Sequence, residues 1–409
     1  MYTLKKECRI CGSSHLTKFL DLGEQPLANA FVSAIPVAQE PFYPLQVYFC
    51  DECNHVQLCH VVDKEELFSQ YVYFTSHMPT PQHFVEYAKN VTKRFRLKRN
   101  EDLVVEIGSN DGLLLSAFLP EGIRILGVDP ARNIAEAAED RHVPTIVDFF
   151  GEKCARRILA SHGKAKVIIG NNVVAHIDDK HDLMRGVTAL LAEDGVFVFE
   201  APYLVDMFEN LAFDTIYHEH VCFLAIRPLQ RLCSQFGLEI FDVELQETQG
   251  TSIRVFAARS GTRKVMPTVA DLVKKEISLG MDSIDAYTRL AERIAASKEK
   301  LLRLLSELKA QGKRIAGYGA PAKGNTLLNY FKIGTGTLDY LTEELPTKIG
   351  SYSPGMHIPV VDVREARKDP PDYFLMLAWN YKDKILQKEA EYRSKGGKFI
   401  IPIGDMQII

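Results

Sequence analysis

Apolar residues in this 409-residue chain are grouped in two ways, and each grouping predicts a different element. In residues 280–311 (GMDSIDAYTRLAERIAASKEKLLRLLSELKAQ) they recur every three or four positions among strong helix formers. That stretch stops before Gly312, which predicts one long connecting helix. Elsewhere they form short unbroken runs closed by Gly, Asp or Asn: Leu103 to Ile107, then ILGVDP, VPTIVDFF, KVIIGNN and GVFVFEAP. Runs of this length with such ends read as buried parallel strands, and a helical stretch near residues 83–98 precedes the first of them. After Gly312 the alternation restarts with KRIAGYGAPAKGNTLLNYF and continues through LDYLTEE, YFLMLAW and GGKFIIPIG. The pattern therefore predicts two α/β units, residues 76–260 and 312–409, joined by a helical linker over 261–311. Residues 1–75 carry the turn-rich punctuation of a small separate module.

Cysteines give that module its chemistry. Cys8 and Cys11 (CRIC) pair with Cys50 and Cys53 (CDEC), two C-x-x-C units that together supply four thiolates for a tetrahedral structural zinc. An iron–sulfur centre and unmetallated thiols are the alternatives, and Cys59, His55 and His60 are near enough in sequence to substitute as ligands. Cys154, Cys222 and Cys233 are scattered and read as buried thiols.

The first α/β unit opens with LVVEIGSNDGLLLSAFL, a strand, a glycine turn and a helix. Its glycines, Gly108 and Gly112, follow E-x-G-x-x-x-G, and the turn also carries Asn110. This is not the G-x-G-x-x-G that brings a backbone against a pyrophosphate. Glu106 and Asp111 set carboxylates where a dinucleotide would be anionic, and S-adenosylmethionine instead offers an ammonium and a sulfonium there. Asp129, ending the next strand, can accept both ribose hydroxyls. Asp148 and Phe149 can bind the adenine amine and cover its ring, while Asn171 and Glu200 end the following strands. The order fits a class I S-adenosylmethionine-dependent methyltransferase with a Rossmann-like core. Helix caps and turns are the alternative use of the same Asp and Asn residues.

The second unit's loop, Gly317 to Gly324, lacks acidic residues and contains Lys323, so it can meet phosphate at a helix N-terminus; a turn required only for packing is the other reading. Late in the first unit, at residues 213–223, lies FDTIYHEHVCF. Tyr217, His218, Glu219 and His220 are four consecutive side chains able to donate, accept or move a proton. A metal held by His218 and His220 is the competing reading, and no third ligand follows at a recognisable spacing.

Composition narrows the partners. The chain is 46% hydrophobic and 25% charged with a formal net charge of −4, an ordinary balance that argues against nucleic acid or an anionic membrane and favours small molecules. No long apolar run or signal-like N-terminus appears, so a cytoplasmic location is expected, as a monomer or small homo-oligomer.

Together CRIC with LDLGEQPLANAF, CDEC with NHVQL, VVEIGSNDG, NNVVAHI, YHEHVCFL and GYGAPAKGN closely resemble the sugar C-methyltransferases that act on nucleotide-linked 4-keto-deoxysugars, over nearly the whole chain. The resemblance implies an N-terminal zinc-binding domain, a methyltransferase core and a C-terminal Rossmann-like α/β domain that helps hold the sugar nucleotide. It implies methylation of C3′ of a thymidine diphosphate (dTDP)-linked sugar through an enolate, in branched deoxysugar biosynthesis. By similarity His220 is the base, Tyr217 and Glu219 support the sugar or the imidazole, and His176 is a second active-site histidine. Tyr318, Lys323 and Asn325 are the candidate sugar-nucleotide contacts. The nearest rival is an O- or N-methyltransferase of a small metabolite. A nicotinamide-dependent sugar epimerase or dehydrogenase is disfavoured by Glu106 and Asp111, and a zinc-containing RNA-binding module by the acidic balance.

Overall fold

The computed structural model describes residues 1–35, 40–68, 74–77, 81–246 and 251–409. In the first region FYPLQVYFC alternates buried and more open positions, so Phe42–Cys50 forms a strand with Tyr43, Leu45, Val47 and Phe49 on its inner face. It pairs antiparallel with Leu16–Pro26 on one side and Val56–Leu58 on the other. A fourth strand, Cys222–Phe223, adds to the Val56–Leu58 edge although it comes from the segment just after Tyr-His-Glu-His.

Every residue of Leu103–Ile107 is buried, as a central parallel strand requires. It sits in the middle of a seven-stranded sheet ordered Leu238–Gln246, Ser252–Arg259, Leu191–Pro202, Ala165–Ile169, Leu103–Ile107, Arg124–Asp129, Thr145–Val147. Neighbours are parallel except for the two pairings of Ser252–Arg259, which are antiparallel. Numbering these strands along the chain gives 3-2-1-4-5-7-6 with the seventh reversed, the class I methyltransferase arrangement. The expected strands all form; the last two, beyond Glu200, were not anticipated.

The C-terminal sheet is ordered Val360–Asp362, Leu341–Glu343, Ile315–Tyr318, Tyr373–Met376, Lys398–Ile401, Gln407–Ile408, parallel except at its last pair. Its order reverses beside Ile315–Tyr318, the position where open α/β sheets leave a ligand crevice.

The helix expected over 280–311 spans Ile284–Ala310, 27 residues and about 40 Å long. The Ser283 side chain caps it by accepting the Asp285 N–H, and Gly312 follows at φ 74° in the left-handed region. Tyr287, wholly buried, packs on Phe19 and Phe49 of the first region and on Phe208 of the core. Farther along, Lys298 donates to the Tyr330 carbonyl at 2.7 Å. One helix thus contacts all three parts, and its apolar stripe is divided among them. No helix among the described residues is long and apolar enough to cross a membrane.

Candidate functional site

The four sulfurs of Cys8, Cys11, Cys50 and Cys53 lie within 4.8 Å of one another. Each pair is shaped by a tight turn. Gly12 (φ 73°) donates its N–H to the Cys8 carbonyl, and Asn54 (φ 63°) does the same to Cys50. Asn is the non-glycine residue that best tolerates this conformation. Four converging thiols with no open position fit a structural zinc. His55 stands apart, its ring nitrogen 3.2 Å from Cys222 Sγ, and neither Cys59 nor His60 joins the cluster.

A cavity of about 860 Å³ lies between the core and the C-terminal unit. Glu106, Gly108, Asn110, Asp129 and Asn171 form part of its wall, with Asp148 and Phe149 beside them. Gly108 (φ 64°) can be nothing larger, since a Cβ there would sit 2.9 Å from Val173 Cγ2; at Gly112 (φ 73°) one would sit 2.8 Å from Val143 Cγ2. Asp129 accepts from Asn110 N–H and Ala131 N–H, each at 3.0 Å, which aims the carboxylate and leaves further lone pairs for a ligand. Asp148 is paired with Arg157 at 2.6 Å, and the Lys64 ammonium lies 4.2 Å above the Phe149 ring.

Asp111 and Gly112 do not face this cavity. The Asp111 carboxylate accepts the Ser76 N–H at 3.2 Å and lies 3.7 Å from Arg141, so it organises the loop from behind. Burial, then the nearby Asp129 and Asp111, holds the Glu106 carboxyl far above the usual carboxylate range. Its Oε2 and the Asn171 Nδ2 have no hydrogen-bond partner among the described residues. A cationic ligand would relieve the crowded carboxylates and give Glu106 Oε2 a donor, while Asn171 Nδ2, itself a donor, calls for an acceptor atom on the same ligand. S-adenosylmethionine, with its ammonium, sulfonium and ribose hydroxyls, fits that demand. Asp129→Ala should weaken its binding by about 10- to 100-fold, the loss of hydrogen bonds to buried partners, as read by calorimetry. Unchanged affinity in a folded variant would remove Asp129 from the site.

From the segment 213–220, Tyr217, Glu219 and His220 join the cavity wall. Phe213 is buried against Phe331 at a ring separation of 5.4 Å, and the chain then turns so that successive side chains separate. His220 Nδ1 donates to the Thr215 carbonyl at 2.7 Å; because a carbonyl only accepts, Nε2 carries the free lone pair. Burial pushes the His220 imidazole down to about 4, with the Lys323 charge adding to the effect and the Thr215 carbonyl opposing it. Tyr217 lies against it at 4.0 Å between rings and His176 at 4.9 Å. Burial, with His220 and Lys180 nearby, holds His176 well below the usual imidazole range. Glu219 accepts from Asn29 Nδ2 at 2.6 Å, a contact 190 residues distant.

His218 leaves the site altogether. It is buried with Nε2 3.3 Å from the Tyr43 carbonyl and its ring edge-on to Tyr43. The cysteine cluster is the one group of three or more potential metal ligands among the described residues, and neither His218 nor His220 belongs to such a group. Burial lowers His218 to about 4. Its unfolded value is near 6.5, so the stability it supports is fully present above about 6.5 and is lost as pH falls toward 4. The stability advantage of wild type over His218→Gln should therefore shrink by about 1.4 kcal/mol per pH unit across that window in urea titrations. A constant difference from pH 7 to 5 would contradict this.

From the C-terminal unit the cavity receives Tyr318, Gly319 and Lys323, and beyond them Lys348, Lys384 and Lys388. The Tyr318 hydroxyl donates to Glu389 at 2.7 Å. Lys323 lies 4.7 Å over the Trp379 ring. Asn325 does not line the cavity: its amide donates to the Ala28 carbonyl at 2.7 Å and ties this helix to the N-terminal region. Asn29, Lys348, Lys384, Lys388, Asp214 and Trp379 were not singled out by sequence reasoning. Of these, Asn29 falls within LDLGEQPLANAF, Asp214 within FDTIYHEHVCF and Trp379 at the end of YFLMLAW, whereas the three lysines lie outside every quoted stretch.

A four-thiol centre, a class I core with a carboxylate-lined donor pocket, and a facing α/β unit define a zinc-containing, S-adenosylmethionine-dependent methyltransferase. The chain belongs to the C-methyltransferase family. Residues 8–68 match a zinc binding domain, 80–243 a methyltransferase domain and 247–404 the C-methyltransferase C-terminal domain. It is 37% identical to the C-methyltransferase NovU of Streptomyces niveus over 98% of this chain and 96% of that one. Solved structures similar to part of it include the CcbJ methyltransferase of Streptomyces caelestis, at 11% identity over 49% of this chain and 100% of that one with a TM-score of 0.37. Another is the magnesium protoporphyrin IX methyltransferase of Synechocystis PCC 6803, at 14% identity, 44% and 79% coverage and a TM-score of 0.32.

Proposed function

We propose that this C-methyltransferase methylates C3′ of a nucleotide-linked 4-keto-deoxysugar, with dTDP as the carrier, in the cytoplasmic synthesis of a branched deoxysugar. The observation that carries the reading is one cavity whose wall is carboxylate-rich on the core side and on the C-terminal side carries four lysines, two of them paired with Glu343 and Glu344, with His220 between the two sides in sequence. A cationic donor suits the first side and an anionic sugar nucleotide the second. S-adenosylmethionine supplies an electrophilic methyl group on a sulfonium.

A carbon acceptor must be made nucleophilic, and a ketone at C4′ does so by acidifying the C3′ hydrogen. His220 takes that proton at Nε2, the nitrogen left free by the Nδ1–Thr215 bond. Tyr217 and Glu219 orient the sugar and the ring, and His176 borders the same space. Within this reading, residues 1–75 form the zinc module, 76–260 the methyltransferase core, 261–311 the helical linker and 312–409 the sugar-nucleotide half. Incubating the zinc-loaded protein with methyl-labelled S-adenosylmethionine and a panel of nucleotide-linked 4-keto sugars should place the label on C3′ of one of them. A label on oxygen or nitrogen, or on none of the panel, would refute the assignment.

A further inference from the structure

We propose that Lys323 is the electrophile that stabilises the C4′ oxygen as it becomes an enolate, and that Asp214 and Trp379 hold it for that task. The proposal rests on the 4-keto-sugar reading above and assigns Lys323 to the reacting atoms instead of to phosphate.

The geometry begins with a buried carboxylate. Asp214 is wholly inaccessible and lies six residues before His220 on the same segment. The Trp379 indole donates its N–H to Asp214 Oδ2 at 2.7 Å, while Asp214 Oδ1 has no hydrogen-bond partner among the described residues. The same indole underlies the Lys323 ammonium at 4.7 Å. One ring therefore links the lysine to its counter-charge, and no carboxylate among the described residues reaches contact distance to close the ammonium off. Lys323, Tyr217 and His220 border one cavity, so the ammonium and the base open onto the same space.

Charge supports the placement. Burial lowers the Lys323 ammonium, while Asp214 and Asp206 act to keep it protonated. Its field is felt at His220, where it helps keep the imidazole neutral before the reaction. A fixed cation beside a neutral base is the arrangement that stabilises a developing oxyanion in a water-poor site. The step balances within the sugar and the protein. The C3′–H bond breaks and its proton goes to His220 Nε2. Its electron pair forms the C3′=C4′ bond, and the carbonyl pair moves to oxygen, which accepts a hydrogen bond from Lys323.

This step can be read without methyl transfer. With S-adenosylhomocysteine bound, the zinc-loaded wild type should exchange the C3′ hydrogen of a dTDP-4-keto-6-deoxysugar for deuterium. Lys323→Met should slow that exchange at saturation by roughly 10²- to 10³-fold, the effect of removing one oxyanion donor. Its affinities for the sugar nucleotide and for dTDP alone should stay within about threefold of wild type, a change of less than 1 kcal/mol. Added ethylammonium should partly restore exchange in Lys323→Ala, which a purely structural role would not permit. Weakened dTDP binding with unchanged exchange at saturation would make Lys323 a phosphate anchor and overturn the proposal. Equal exchange and equal binding would overturn it too. A wild type that neither binds nor exchanges any 4-keto sugar nucleotide would instead bring down the substrate assignment, and the lysine's role with it.

Discussion

His220→Asn should lower methyl transfer by about 10²- to 10⁴-fold while leaving the binding of donor and acceptor largely intact. Asparagine preserves polarity and can still reach the Thr215 carbonyl that now accepts from Nδ1, but it cannot take a proton at neutral pH. The defect should fall on kcat and on C3′ hydrogen exchange, not on KM. Tyr217→Phe should cost less, about tenfold, if its hydroxyl contributes one hydrogen bond beside the base. The pH profile offers a second check. In the proposed reaction the neutral imidazole is the active form; with His220 lowered to about 4, it predominates above that pH and is lost as pH falls through it. At pH 5.5 an ordinary histidine would be about 90% protonated, whereas one at about 4 is only about 3% protonated. Turnover per folded molecule at pH 5.5 should thus stay close to that at pH 7. Wild-type turnover in the Asn variant would make His176, 4.9 Å away, the base to test next.

Cys50→Ser should remove the zinc and, with it, both the N-terminal module and activity. Structural zinc supplies about 10–16 kcal/mol of apparent folding free energy in zinc-finger peptides, as much as the whole stability of a typical domain. The consequence reaches the active site through backbone pairing. Val56–Leu58 follows the second cysteine pair and binds Cys222–Phe223, and the Leu58 N–H reaches the Val221 carbonyl at 3.0 Å. His220 is therefore tethered from its C-terminal side to the zinc sheet, and Asn29 from the same region holds Glu219. Metal analysis should fall from about one zinc per chain to none, and methyl transfer should disappear. Donor binding should be better preserved, since Glu106 and Asp129 stand on strands of the core sheet. A soluble, metal-free and fully active Cys50→Ser protein would rule out the structural role.

Sequence by itself determined the periodic and the locally strained parts of this protein. Leu103–Ile107 is a strand because five successive residues can all be buried between layers, and 284–310 is a helix because its apolar residues return to one stripe. The two C-x-x-C pairs and the glycines at 108 and 112 were legible for a related reason: ligand spacing and left-handed backbone are properties of a few neighbouring residues. Tertiary structure alone decided the direction of side chains in irregular segments. His218 and His220 are nearly identical in local context. One meets the Tyr43 carbonyl from 175 residues away, and the other donates to Thr215 and keeps its second nitrogen for the cavity. Glu106 ends a strand and Asp111 sits in the turn that follows it, yet only Glu106 faces the ligand space, because Ser76 and Arg141 engage the other carboxylate. Lys323 and Asn325 share one turn of helix, and a distant carbonyl at Ala28 takes Asn325 out of the site. In each case the outcome depends on hydrogen-bond partners that no local periodicity encodes, since they come into reach only when three separately patterned regions pack together.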